Sequence, residues 1–68
     1  MTSQLFDDIQ AINDIHAALG KSPVTEATFQ RRASESDEAF ARRVRNYQIK
    51  QYATLQHRVA SGTVDFLN

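Results

Sequence analysis

Apolar residues in the first twenty positions recur at helical spacing. Leu5, Ile9, Ile12, His16 and Leu19 advance in steps of four and three, and Ile15 widens the stripe. One helical face therefore carries them all. The pattern predicts a helix over residues 3–19. Thr2 or Ser3 is placed to cap it, and Asp7 and Asp8 lie near the positive end of its dipole. Gly20 follows directly, where a left-handed residue closes a helix at little steric cost.

Lys21 to Val24 reads as a turn. Ser22-Pro23 is a helix-start signal, because proline at a first helical position loses no needed hydrogen bond, and Thr25 is a second candidate cap. A short second helix is expected over residues 25–33, with Phe29 its only large apolar residue and Val24 at its mouth. The run Ser34-Glu35-Ser36-Asp37-Glu38 is another start signal, with Ser34 and Asp37 at capping-box spacing and Ser36 as the alternative cap.

From there a long third helix is predicted over residues 37–61, stopped by Gly62. At about 100° per residue, Phe40, Ala41, Val44, Tyr47, Tyr52, Leu55 and Val59 form one broad stripe that Gln48 and Gln51 interrupt. The opposite face carries Arg42, Arg43, Asn46, Lys50, Ala53 and His57. Residues 63–68 lie beyond the glycine as a short non-helical tail. Val64 and Phe66 in it would face one way if it paired as a strand.

The fold expected is an all-α three-helix domain over residues 1–62, with a short second helix and a long third one. The first and third helices are expected to pack antiparallel. Leu5, Ile9, Ile12, Leu19, Phe29, Phe40, Val44, Leu55 and Val59 are the expected core.

The chain has 68 residues, enough for one domain with a marginal core. Small scaffolds of this size often gain a disulfide, a metal or a partner. There is no Cys, so a disulfide and a thiolate metal site are excluded, which leaves self-association or docking onto another protein. The lack of Cys also fits a reducing, cytoplasmic setting. No basic stretch leads into an apolar core as in a secretory signal, and no apolar run approaches the ~20 residues of a membrane span. The expectation is a soluble protein with no membrane partner.

Lys plus Arg and Asp plus Glu balance at eight each, so global charge selects no partner. Local charge is segregated. Residues 39–62 contain Arg42, Arg43, Arg45, Lys50 and Arg58 and no acid, while the first twenty contain Asp7, Asp8 and Asp14 and no base. Three readings follow. The acidic first helix could lie against the basic third one as surface pairs. The basic helix could receive an acidic protein partner through bidentate arginine contacts. Or it could bind nucleic acid non-specifically.

As the recognition helix of a helix-turn-helix, the third helix would lead into the groove with Glu35, Asp37 and Glu38, which phosphates and base-edge acceptors repel. The balanced charge also lacks the basic excess of such modules.

Catalytic chemistry has little to stand on. All five serines except Ser3 sit beside turn or helix-end signals. No nucleophile elbow, phosphate-cradling glycine loop or cysteine nucleophile is present. General acid–base work would fall to His16, His57 or paired carboxylates in a pocket. His16 lies in an apolar stripe, where a hydrogen-bonded core or boundary role is expected. His57 faces solvent, and no metal-ligand spacing joins the two. The chain is read as a non-enzyme with no cofactor and no metal.

Phe6 and Ile49 fall off their stripes, and the hydroxyls of Tyr47 and Tyr52 need water or a partner. With Gln48 and Gln51 on the same stripe, these residues favour a protein–protein surface on the third helix. The expected function is therefore a small interaction module: an adaptor, an inhibitor or an assembly subunit, or a homo-oligomer. Its contacts would be Arg42, Arg43, Arg45 and Lys50 as charges and Tyr47, Ile49 and Tyr52 as apolar groups. The alternative is non-specific nucleic-acid binding through the same Arg/Lys face.

Overall fold

The computed structural model describes residues 4–62. The caps expected at Thr2 and Ser3, and the tail from Thr63 onward, lie outside the described residues. The secondary structure of the described residues is all helical. Helix α1 spans Gln4–Leu19, a single 3-10 turn spans Glu26–Phe29, and helix α2 spans Asp37–Ala60. The two α-helices pack against each other.

Local chemistry sets the ends. Gly20 adopts φ 75°. Its N–H donates to the Ala17 carbonyl at 3.3 Å and the Lys21 N–H donates to the His16 carbonyl at 2.8 Å. That crossed pair is the Schellman closure expected of a glycine just past a helix. At the start of α2, Ser36 and not Ser34 is the cap, accepting from the Ala39 N–H at 3.1 Å. Asp37 and Glu38 fill the first turn of α2, where the helix dipole favours carboxylates.

The second helix expected over residues 25–33 is corrected to the four-residue 3-10 turn Glu26–Phe29. The side chains of Thr25 and Thr28 cap its start, and Gln30 ends it at φ 49°. The stretch beyond offers no apolar face to bury, and a helix of two turns without one is not sustained in water.

Antiparallel packing is corrected as well. His16 meets Tyr47 and Lys21 meets Gln51, so the contacts advance in the same sense along both helices. The cause lies in the connection. The Asn13 side chain accepts from the Val24 N–H at 2.7 Å and donates to the Val24 carbonyl at 3.0 Å. This clamp turns the chain back along α1, and Thr25 and Glu26 come to rest beside Ile9 and Gln10. The connection thus returns to the start of α1 before α2 begins.

Ile12, Val24, Phe40 and Val44 form the buried core, with Leu5, Ile9, Phe29 and Tyr47 packed on it. Ile15 and Leu55 are buried as well. Val59, expected in the core, is 41% exposed. Lys21, just past the end of α1, already reaches Gln51, so the last turns of α2 run beyond the helix that would cover them.

Three polar residues are buried among those described: His16, Gln51 and Asp8. Gln51 accepts from the Lys21 ammonium at 3.0 Å, so it fills a place inside the chain instead of marking an open stripe. Asp8 is also buried. Its Oδ1 accepts from the Gln4 side chain at 3.3 Å, and its Oδ2 has no hydrogen-bond partner among the described residues.

Candidate protein-binding surface

The seven residues expected on the binding surface divide by what they touch. Arg43 is occupied. Its Nε and Nη2 each donate to the Glu35 carboxylate at 2.9 Å, and its Nη1 donates to the Phe29 carbonyl at 2.8 Å. Its guanidinium also lies 5.4 Å from the Phe40 ring centre. The fork of Arg43 therefore holds the connection onto α2, a geometry lysine could not reproduce.

Glu35 is the matching half. Its side chain is 9% exposed, against 34% for Arg43. The hydrogen bonds from Arg43, with help from the Arg32 backbone N–H, hold its carboxyl at about 2, well below the ordinary 4.5. The same pairing pushes the Arg43 guanidinium above its usual value. Alongside it, Arg31 pairs with Asp37 and lies over the other approach to the Phe40 ring. Of the basic run in α2, Arg43 is matched by Glu35 of the connection, while Arg31 of the connection is matched by Asp37 in the first turn of α2. No salt bridge joins the acids of α1 to α2 among the described residues.

Tyr47 is also occupied. It is half-buried and stacks edge-on with His16 and Phe29, at centroid distances of 5.8 and 5.5 Å. His16 is a satisfied core histidine. The Ser22 carbonyl, 2.8 Å from its Nδ1, can only accept, so Nδ1 carries the proton. Nε2 is hydrogen-bonded with the Tyr47 hydroxyl at 3.2 Å. His57 is exposed.

The remaining five face outward. Arg42, Arg45 and Lys50 are exposed. Ile49 is 55% and Tyr52 50% exposed. They occupy the solvent side of α2, with Ile49 and Tyr52 one turn apart.

Next to this face runs a groove of about 470 Å³. Phe29, Ala39 and Tyr47 make it partly apolar, Glu35 and Arg43 contribute their ion pair, and Arg42, Asn46 and Lys50 line its α2 side. Helical periodicity alone puts Asn46 on the polar face of α2 and gives it no role. The signal was available in its spacing, since residues 42, 46 and 50 stand one turn apart in a row. Phe29 and Glu35 could not be found that way, because they reach the groove only through the fold of the connection.

A second groove, of about 350 Å³, lies between α1 and the connection and includes Leu5, Phe6, Ile9 and Val24. Among the described residues, no three His, Cys, Asp or Glu side chains gather as a metal site, and no helix is long and apolar enough to cross a membrane. Comparison with family models, curated proteins and solved structures finds no match to this chain.

Proposed function

We propose that the chain is a small protein–protein interaction module whose working face is the outer surface of α2. It would serve as an adaptor, an inhibitor or an assembly subunit in the cytoplasm, acting by binding and not by catalysis. The observation that carries the reading is the patch made by Ile49 and Tyr52, each at least half exposed, among the exposed cations Arg42, Arg45 and Lys50, none of which has an ion-pair partner among the described residues. Aromatic side chains and arginine are the types that dominate interface energetics, the first by burying area and the second by forked hydrogen bonds. Arg43 and Tyr47 support this face from below.

The test compares the wild-type chain with Ile49→Ser/Tyr52→Ser and with Arg42→Glu/Arg45→Glu. Each is tagged, cross-linked to its partner in lysate and recovered under denaturing wash. Both variants should keep the helical circular dichroism of the wild type and lose the captured protein. Capture unchanged in both variants overturns the reading. Light scattering on the same samples reports self-association, and a wild-type dimer that Ile49→Ser dissolves would make a second copy the partner.

A second reading is non-specific nucleic-acid binding, favoured by the absence of any acid from Ala39 to Gly62. It requires affinity for DNA or RNA that falls steeply as salt rises. No shift of an oligonucleotide at low salt removes it.

A further inference from the structure

The groove beside Phe29 and Tyr47 combines charge and shape in a way that selects its occupant. Arg42, Asn46 and Lys50 follow each other at four-residue intervals along α2, so the two cations stand about 12 Å apart with the amide midway. Within the described residues none of their three side chains makes a hydrogen bond or ion pair, whereas the neighbouring Arg43 is saturated. The acid that lines the groove, Glu35, spends its charge on Arg43 and accepts from the Arg32 backbone as well. The groove therefore keeps the positive charge of Arg42 and Lys50 along one side, with Phe29 and Tyr47 also in its lining.

We infer that this groove receives an extended acidic peptide segment of a partner protein, with the pattern carboxylate, any residue, apolar residue, any residue, carboxylate. The inference rests on the proposed interaction role and assigns it a partner chemistry. Its basis is a match of repeats. In an extended strand, alternate side chains share a face at about 6.6 Å, and positions four apart are about 13 Å apart. The first carboxylate then faces Arg42, where a guanidinium fork offers bidentate hydrogen bonds. The second faces Lys50. The apolar side chain between them descends onto Phe29 and Tyr47, and the Asn46 amide is left to bond the strand's backbone.

A nucleic-acid strand fits this site less well. Phosphates repeat every residue of the backbone, and here two cations are separated by an uncharged amide, with Asp37 and Glu38 in the first turn of the same helix.

The test is a titration of the isotope-labelled full chain followed by amide and side-chain NMR. The probe is the capped peptide Gly-Glu-Ala-Leu-Ala-Glu-Gly. Saturable shifts should appear at Ala39, Arg42, Asn46 and Lys50, with Ile49 and Tyr52 unmoved. Replacing both glutamates of the peptide by glutamine should weaken binding at least about tenfold, as should Arg42→Glu/Lys50→Glu in the protein. His57→Ser, exposed further along α2 and outside the groove, should leave it unchanged.

No shifts, equal binding of the glutamine peptide, or equal binding by the charge-reversed chain would each overturn the inference. So would an oligothymidylate that shifts the same residues more strongly than the peptide does. The failures are separable. If the peptide fails but the surface variants still lose their captured protein, the groove assignment falls and the interaction role stands. If the peptide binds but capture is indifferent to the variants, the converse holds.

Discussion

The two halves of α2 live in different surroundings. From Asp37 to Tyr47 the helix is gripped on two sides. α1 covers Phe40 and Val44, and the connection lays Phe29, Arg31 and Glu35 along the flank. From Gln51 onward the cover thins: Lys21, just past the end of α1, holds Gln51, Leu55 is still buried, and past it the helix continues with Val59 41% exposed. The first half is held by the fold. The second persists because helix propagation is cheap once nucleated and because Ala, Leu, Gln and Arg suit it. The candidate binding face straddles the boundary between them, which gives it a rigid base and an open outer side.

Truncation should expose this difference most sharply. Ile12→Ala removes a fully buried side chain opposite the gripped half and should cost about 2–5 kcal/mol. That is a large part of what a domain this small can hold, so thermal unfolding should shift by many degrees or lose cooperativity. Val59→Ala in the overhang should stay within about 0.5 kcal/mol. Comparable losses at both positions would break the comparison.

Gly20→Ala comes next. A side chain at φ 75° is strained whatever space surrounds it, and the left-handed region costs an ordinary residue roughly 1–2 kcal/mol. The loss should appear as a lower thermal midpoint with no change in helical content. If Gly20→Ala is neutral, the turn that sends the connection back along α1 is softer than its hydrogen bonds imply.

Hydrogen exchange reads the same contrast without mutation. Amides of Val44 to Gln51 should be protected toward the global limit, and those after Leu55 should exchange by local fraying. Uniform protection along α2 would mean that the overhang is covered.

The comparison also separates what was legible in the sequence from what was not. Both long helices, their glycine stops and the buried set of Ile12, Phe40, Val44 and Leu55 follow from spacing alone, because the 3.6-residue period and the left-handed tolerance of glycine are local facts. The direction of packing is not local. It turns on Asn13, a polar residue on a helix flank whose amide fits the two backbone groups of Val24, and nothing in its neighbours announces that role. Val59 matched the core stripe, but periodicity cannot tell how far a partner helix extends.

The surface shows the same division. Ile49, off its stripe, is exposed as expected. Arg42 and Arg43 are indistinguishable as a sequence pair, yet one is open and the other is bolted to Glu35. Tyr47 and Tyr52 shared a stripe, yet one is tied to His16 and the other stands at its open edge.

The bolt itself is testable by acid. Glu35 titrates at about 2 in the folded chain and near 4.5 when free of Arg43. A carboxyl with a depressed folded value binds more protons in the unfolded state across that interval, so stability rises with pH there. Its contribution is complete above about 4.5 and is lost as pH falls toward 2. Glu35→Gln keeps the shape of the side chain and removes the charge. The wild-type thermal midpoint should exceed that of Glu35→Gln at pH 6, and the gap should close between pH 4.5 and 2. Arg43→Gln should show the same closing gap, because each variant deletes one half of a single ion pair. A gap that stays constant with pH would mean that Arg43 holds the connection through the Phe29 carbonyl and the Phe40 ring alone. The grip on the first half of α2 would then be independent of charge.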